Sequence, residues 1–207
     1  MWVDSWLHGP LFVLSKMLSD SEILEELEKG NIVIKPFRKE QLNPNSYDVR
    51  LGEYYAVENV LNHVILPFDE NSVRNHWKIK KANKEIEIHP GETILAHTQE
   101  IIGGCHNIAS KMNARSSLGR LGLSVCKCAG FGDVGFISKW TMEITNHSQH
   151  ASVRLPIGMR IAQISFFRTG RVLKEYQGKY GQGEWTPEDM IPKLWKDKDI
   201  INDVDLK

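Results

Sequence analysis

Residues 86–97 read Ile-Glu-Ile-His-Pro-Gly-Glu-Thr-Ile-Leu-Ala-His, and this stretch contains the pattern that decides the fold. Two short runs of residues that favour strands, 86–88 and 93–97, flank the turn signal His89-Pro90-Gly91. Short runs of β-branched and apolar residues bounded by Pro and Gly are typical of strands joined by turns. The stretch therefore predicts two strands and the turn between them.

The same pattern of short runs and turns extends in both directions along the chain. Further β-type runs occupy residues 32–34, 47–51, 54–60, 125–128, 140–145, 152–155 and 161–167. Turn signals such as Asn43-Pro44-Asn45, Gly103-Gly104 and Pro156-Ile157-Gly158 separate them. Many short strands spaced by turns predict a mainly β fold, either a barrel or a distorted jelly roll.

Two segments depart from the strand pattern. Ser19-Asp20-Ser21-Glu22 matches a capping box, apolar residues follow at helical spacing, and Gly30 ends the pattern, which predicts a short N-terminal helix. Residues 110–118 are a weaker candidate for a second helix.

The two ends of the chain differ from its centre. The tail over residues 176–185 is rich in Gly, Lys and Gln, and it predicts a mobile loop, about 176–190, of the kind that closes over ligands. We find no internal repeat and expect a single domain over residues 17–207. Residues 1–16 form an N-terminal extension to which the sequence assigns no role.

The charge of the chain is balanced overall but uneven locally. The 207 residues carry 26 basic and 26 acidic side chains, so there is no general attraction to nucleic acid or membranes. Between Lys111 and Lys139, however, five basic residues accompany one acidic residue, Asp133. A positive stretch in a neutral protein indicates a small polyanionic ligand. The chain contains no run of about 18 apolar residues, so the sequence predicts no transmembrane helix.

The cysteines indicate the redox environment. Cys105, Cys126 and Cys128 are an odd number with one close pair, which is a poor disulfide framework and predicts a reducing, cytoplasmic setting. The pair and the nearby His106 invite interpretation as a metal site. Small buried strand residues are the more ordinary interpretation, and the one we adopt.

The most informative stretch for chemistry runs from Ala114 to Leu123 and reads Ala-Arg-Ser-Ser-Leu-Gly-Arg-Leu-Gly-Leu. Arg side chains present a fork of N–H donors that suits phosphate oxygens, and Ser hydroxyls with backbone N–H groups add further donors. On chemistry alone, a phosphate cradle and a helix start with solvated arginines are about equally good interpretations.

This stretch resembles the phosphate-binding motif of the dCTP deaminase/dUTPase family, and other parts of that family's pattern follow in the expected order. They lie at residues 17–20 with 34–37, 45–52, 90–92 with 98–100, 129–136, 158–163 and 179–183. The resemblance covers residues 17–185. It implies a dUTPase-like distorted jelly roll that assembles as a homotrimer, with active sites at the subunit interfaces.

Within the family, one position separates deaminases from plain dUTPases. Deamination of cytosine requires removal of a proton from water and protonation of N3 and of the leaving amine, which one carboxylate beside the base can do in turn. The family's deaminases carry a Glu for this in the strand after the nucleoside-pocket hairpin, and here Glu143 matches it. Without the family, Glu143 is a solvated strand residue whose neighbours Met142 and Ile144 face the core. With it, Glu143 is the expected proton shuttle, with a pKa raised by burial.

The resemblance also assigns the groups around the water and the triphosphate. Arg115, Ser117 and Arg120 would contact the triphosphate. Ser116 and the backbone carbonyl of Ala129 would position the attacking water beside Arg120.

Further roles follow for the sugar and for the C-terminal loop. Asp133 and Gln163 would help to hold the sugar and the base-binding hairpin. The residues expected to close over the phosphates are Tyr176, Lys179, Tyr180 and Gln182.

The expected metal chemistry is limited to the substrate. Zinc deaminases need H-x-E and P-C-x-x-C, and neither motif occurs in the chain, so we expect no zinc. By resemblance, Mg²⁺ would be carried on the triphosphate rather than in a protein cage.

Four functions remain open at this point. The first is deamination of dCTP to dUTP and ammonia, which supplies dTTP synthesis; dTTP is a common inhibitor in the family. The second is a bifunctional enzyme that releases dUMP and pyrophosphate, with Asp133 helping to activate the hydrolytic water. The third is a dUTPase, and the fourth is a non-catalytic nucleotide sensor, which would not need Glu143. Gly132 stands where the family usually has a branched apolar residue, and we expect it to loosen the hairpin.

Overall fold

The computed structural model describes residues 16–59, 64–181 and 183–194. Its helices are α1 (Asp20–Glu28), α2 (Glu70–His76) and α3 (Ser116–Arg120). Its strands are β1 (Lys16–Met17), β2 (Ile32–Lys35), β3 (Leu42–Asn43), β4 (Ser46–Glu58), β5 (Trp77–Lys81), β6 (Glu85–Ile88), β7 (Thr93–Thr98), β8 (Ile101–Gly104), β9 (Ile108–Ala114), β10 (Leu123–Ser124), β11 (Phe131–Gly132), β12 (Ile137–Ser138), β13 (Thr141–Asn146), β14 (Val153–Pro156) and β15 (Arg160–Arg168). Short 3₁₀ turns occupy Lys39–Gln41 and Pro187–Met190.

One large antiparallel sheet organises the described chain. Its strands follow the order β10-β13-β7-β4-β15-β9-β11, with β1 added to β15 and both β3 and β5 added to β4. The small sheets β12-β8-β2 and β14-β6 complete the fold. Because the 13-residue strand β4 pairs with β15 near its start and with β7 and β5 further along, it connects the two halves of the large sheet. The prediction of a mainly β fold is confirmed.

The core lies between these sheets and is built from alternate residues of the strands. Tyr47, Phe166, Met142 and Ile144 are among its fully buried members. Burial of such side chains contributes about 1.5–3 kcal/mol each, which is the main force holding short strands together. Among the described residues, no helix has the length and hydropathy needed to cross a membrane.

The N-terminal helix forms where the sequence predicts it. The Ser19 hydroxyl accepts a hydrogen bond from the Glu22 N–H, and the Glu22 carboxylate accepts one from the Ser19 N–H, so the capping box is complete. Gly30 follows the helix with a φ of 77°, a conformation that favours glycine. Ile23 anchors the helix in the core.

Three local predictions are wrong. Residues 110–118 are not a helix, because 110–114 belong to β9, which pairs with β15 and β11, and only the five residues of α3 are helical. Residues 125–128 form turns rather than a strand. The expected separate strands at 47–51 and 54–60 are one strand, β4, whose pairing with β7 shifts register between Leu51 and Tyr55.

Candidate active site

Glu143 lies in the middle of β13, on the face opposite the core. Its neighbours Met142 and Ile144 are fully buried in the core, and Glu143 itself stands across from Leu95 of β7. The face that carries Glu143 is nevertheless only partly open to water. The Oε2 atom of its carboxylate is buried and has no hydrogen-bond partner among the described residues.

A cavity of about 440 Å³ surrounds this carboxylate. One wall comes from the sheet and the hairpin after β10, and includes Leu95, Ala129, Asp133, Lys139 and Glu143. The opposite wall comes from the C-terminal segment, residues 176–192, and includes Tyr176, Tyr180, Trp185, Asp189 and Met190. The volume lies within the range of small-molecule binding sites.

The electrostatic state of Glu143 follows from its burial. Burial raises the pKa of this carboxyl above its ordinary value, because the charged form loses hydration. A hydrogen bond from its own backbone N–H and the charge of Lys127 act in the opposite direction and are smaller effects. A carboxyl group whose pKa is raised holds a proton more readily than an ordinary carboxylate, which suits it to acid–base chemistry.

The hairpin that carries Ala129 and Asp133 is held by tight packing. A Cβ atom at Gly132 would lie 2.5 Å from the Trp140 ring and 2.5 Å from the Ser110 hydroxyl. The Trp140 indole N–H donates to the Ile102 carbonyl at 2.9 Å, so the ring is fixed. The missing side chain of Gly132 therefore makes room for Trp140, while the expected loosening of the hairpin stays a prediction.

The C-terminal segment is tied to the hairpin at its start. The Tyr176 N–H donates to the Val134 carbonyl at 2.8 Å, and the Tyr176 ring meets Phe136 edge-on at 5.4 Å. The Tyr176 hydroxyl oxygen in turn accepts from the Tyr180 N–H at 3.2 Å. Further along, Met190 packs against Ala56 and Leu95 on the outer face of the sheet. The segment therefore covers the cavity, while its predicted mobility stays a prediction.

A neutral histidine supports this covering segment. Burial lowers the pKa of His97 to about 4. Its Nδ1 lies 2.8 Å from the Thr98 carbonyl, and its Nε2 accepts from the Tyr54 N–H at 3.2 Å, so both ring nitrogens are used. The ring lies 4.3 Å from that of Trp185, centroid to centroid. Gly52 leaves room for the imidazole, because any side chain there would overlap it.

The predicted phosphate-binding residues lie in a different place. Arg115 precedes α3, and its Nε lies 3.4 Å from Oδ2 of Asp48, an oxygen that is also 3.4 Å from Arg160. Burial raises the pKa of Asp48, and the two arginines act to lower it. The side chains of α3 that carry the predicted chemistry are exposed: Ser116, Ser117 and Arg120. Within the described chain, neither the three predicted triphosphate contacts nor Ser116, predicted to position the water, lines the Glu143 cavity.

The remaining predicted residues divide between these two places. Gln163 of β15 stands opposite Asp48 and Asn113, on the Arg115 side. Lys179 lines a second cavity, of about 580 Å³, between α2 and the C-terminal segment. Gln182 lies outside the described residues. The structure thus brings together Glu143, Ala129, Asp133, Tyr176 and Tyr180, and it separates the rest from them.

The cysteines are not buried strand residues, so that prediction is wrong. Cys105 and Cys126 are half-buried and Cys128 is exposed, and all three lie outside the strands. Lys127 between the last two has a φ of 39°, which belongs to a turn. The part of the chain that the structure describes contains no group of three His, Cys, Asp or Glu side chains placed to hold a metal ion.

Four cavity residues carried little or no signal in the sequence. Trp77 and Met190 fall in no motif, Lys139 was noted only as the end of the positive stretch, and Trp185 lies only at the end of the Gly- and Lys-rich tail. A tryptophan within a Gly- and Lys-rich tail was the one usable sign for Trp185. The others approach the cavity through pairing and packing between distant segments.

Comparison with known proteins identifies the family. The model of the dCTP deaminase-like family matches residues 17–169, which is most of the chain. The chain belongs to the dCTP deaminase-like family. The match includes Glu143, the hairpin and the Arg115–Arg120 region of this family member.

Individual relatives agree with this assignment. The family member is 33% identical over 163 residues to a protein of Methanosphaerula palustris named "dCTP deaminase, dUMP-forming", covering 79% of this chain and 87% of the relative. It is 35% identical over 177 residues to a protein of the same name from a Nocardioides species, covering 83% and 92%.

A solved structure supports the fold alone. The deoxycytidine triphosphate deaminase of Agrobacterium tumefaciens superimposes with a TM-score of 0.58 at 18% identity, covering 74% of this chain and 48% of that chain. The predicted mainly β architecture is thereby confirmed.

Proposed function

We propose that this chain deaminates dCTP and releases dUMP, with Glu143 as the proton shuttle. The observation that carries the proposal is the buried, unpartnered Oε2 of Glu143 in a cavity large enough for a nucleoside. The names of both relatives, "dCTP deaminase, dUMP-forming", support dUMP rather than dUTP as the released product.

The deamination step balances with one carboxylate and one water. The Glu143 carboxylate takes a proton from water as the water oxygen bonds to C4, and it passes that proton to N3. It then takes the proton of the new C4 hydroxyl and delivers it to the amino group. The C4–N4 bond breaks, ammonia leaves, and uracil with a proton on N3 remains. Each transfer uses the same carboxyl, so its raised pKa favours the cycle.

The second half of the reaction consumes another water. Hydrolysis of the bond between the α- and β-phosphates converts dUTP to dUMP and pyrophosphate. Asp133 lines the same cavity as Glu143 and is exposed, so it is placed to help activate this water. Mg²⁺ on the triphosphate would neutralise part of the developing charge.

A second copy of the chain is needed to complete this site. Lys139 is the one cationic side chain among the cavity-lining residues of the described chain, and a triphosphate requires more positive charge. Arg115 and Arg120 lie elsewhere on the same chain. We propose a homotrimer in which these arginines, with Ser116 and Ser117, face the Glu143 cavity of a neighbouring copy.

The products of dCTP test the main proposal. The protein is incubated with dCTP and Mg²⁺, and ammonia, dUTP, dUMP and pyrophosphate are separated and measured. Ammonia together with equal amounts of dUMP and pyrophosphate is the expected result. Accumulation of dUTP would mean that the chain deaminates dCTP but does not release pyrophosphate. Turnover of dUTP without release of ammonia from dCTP would contradict the role of Glu143.

Subunit mixing tests the composite site. Glu143→Gln and Arg120→Ala proteins are each expected to be inactive as homotrimers. After unfolding and refolding together in equal amounts, about one quarter of wild-type activity should return, since that share of interfaces joins two intact halves. No recovery, with trimers verified by light scattering, would mean that both residues serve the same chain's site.

A further inference from the structure

The cavity that holds Glu143 contains a second buried polar atom without a partner. Buried side-chain polar groups are nearly always hydrogen-bonded, so an exception at a ligand cavity needs a reason. Among the described residues, Nε1 of Trp185 is buried and unpaired, as is Oε2 of Glu143, and both residues line the same cavity. One atom is an obligatory donor, and the other accepts or donates according to its protonation.

The neighbours of Trp185 fix its ring without using its N–H. The imidazole of His97 packs on the indole at 4.3 Å, and both of its nitrogens are already committed to backbone groups. The Lys139 ammonium lies 4.5 Å from the centre of the indole ring, on its face. Since an ammonium has no acceptor, it cannot satisfy the indole N–H either. The donor is therefore held in place and left for something that enters the cavity.

The polarity of this pair matches one edge of a cytosine ring. That edge presents N4, N3 and O2 side by side. The proposed reaction assigns N4 and N3 to Glu143, and O2 remains as an acceptor that needs a donor. The geometry points to Trp185 as that donor: its indole N–H binds O2 of the pyrimidine while Glu143 acts on N3 and N4. This inference rests on the proposed function and adds a base-binding residue to it.

The chemistry of the indole limits what Trp185 can do. Its N–H donates but does not shuttle protons, so it contributes to binding and orientation of the base rather than to proton transfer. Because uracil retains O2, the contact persists after deamination. Trp185 should therefore strengthen the binding of substrate and product alike, without discriminating between them.

Replacing the indole tests the contact directly. Trp185→Phe keeps an aromatic ring and removes the N–H. The dissociation constant of α,β-imido-dUTP, which cannot be hydrolysed at that bond, is measured by calorimetry. We expect it to rise about tenfold, because a buried acceptor on the ligand loses its donor. The matched control is Trp77→Phe, which makes the same change in the same cavity. The Trp77 N–H is not among the buried polar atoms that lack a partner in the described residues. An unchanged constant in Trp185→Phe would overturn the proposal.

A ligand substitution separates the contact from a general disturbance of the cavity. The 2-thio analogue replaces O2 with sulfur, a weaker acceptor. Wild type and Trp185→Phe should bind this analogue with nearly equal affinity, so the two changes are not additive. An equal loss for the oxygen and sulfur ligands would mean that Trp185 acts only by packing.

The test also keeps the two proposals apart. Both dissociation constants are measured with uridine nucleotides and do not require deamination. A wild-type protein that binds the analogue with the expected pattern but releases no ammonia from dCTP would contradict the proposed function and leave the Trp185 contact supported.

Discussion

Two glutamates, one just after β7 and one on β13, differ in how their carboxylate oxygens are used. Glu100, just after β7, is fully buried and accepts hydrogen bonds from Arg50 Nε at 2.6 Å, Arg50 N at 2.8 Å and Gln41 Nε2 at 3.1 Å. Glu143 on β13 keeps one buried oxygen without a partner. Glu100 follows β7, which pairs with the strand of Glu143, so their surroundings rather than their chemistry distinguish the two carboxylates.

The difference separates a structural carboxylate from a reactive one. A buried charge whose oxygens are all paired holds the segments that supply its partners, and removing it leaves those partners unsatisfied. An unpaired buried oxygen costs stability and stays available to a ligand. Functional sites often retain such a cost, because the group that destabilises the free protein is the one that the reaction needs.

The largest expected effect concerns the rate. Glu143→Gln removes the proton carrier while it preserves the shape of the side chain, so ammonia release from dCTP should fall by about a thousandfold. Glu87→Gln, an equal loss of charge on the exposed side of β6, is the control and should retain its rate. Near-normal ammonia release from Glu143→Gln would contradict the distinction between a reactive carboxylate at Glu143 and a structural one at Glu100.

The next effect concerns stability. Glu100→Ala leaves the Arg50 guanidinium without its acceptor and the Gln41 amide with the Asp48 carbonyl alone, and should lower the free energy of unfolding by about 3–5 kcal/mol. Urea unfolding followed by circular dichroism measures this loss, against Glu87→Ala, whose ion pair with Arg154 is exposed and should matter little. Similar losses in both variants would show that burial at Glu100 carries no special weight.

The smallest effect reverses the usual sign of a mutation. The pKa of Glu143 in the fold lies above its ordinary value of 4.5, so this carboxyl stabilises the fold only while protonated, and that stabilisation is lost as pH rises through the folded pKa. Glu143→Gln should therefore raise the unfolding temperature at pH 8 by about 2 °C. This increase in the unfolding temperature should shrink as the pH falls toward 4.5. Scanning calorimetry across this range measures it, and an increase that stays constant with pH would contradict the prediction.

Much of the fold could be predicted from the sequence, because strands, turns and helix caps are determined largely by neighbouring residues. The turn at 89–91, the capping box of α1 and the alternation around Glu143 are set by neighbouring residues, and all three predictions are confirmed. Residues 110–114 were mistaken for helix because their pairing with β15, about fifty positions away, decides their conformation. Residues 125–128 were mistaken for a strand because the turn around Lys127 has no Gly or Pro to mark it.

The candidate site was predictable only in part. Family resemblance placed Glu143, Ala129, Asp133, Tyr176 and Tyr180 in one site, and the structure brings these five together. The position of Trp185 at the cavity was missed because it depends on packing against His97, almost ninety positions earlier. No periodicity in the sequence indicates a contact between residues so far apart. The resemblance also could not show that Arg115 and Arg120 lie away from the cavity of their own chain.

The covering segment has a consequence for the order in which the protein is synthesised and folds. The wall opposite Glu143 is supplied by the covering segment, which starts at Tyr176, while the strand that carries Glu143 is complete at residue 146. During synthesis, therefore, the sheet can assemble around a carboxylate that is still hydrated and acidic. We expect the pKa of Glu143 to rise only after the covering segment has been synthesised and has packed against the sheet.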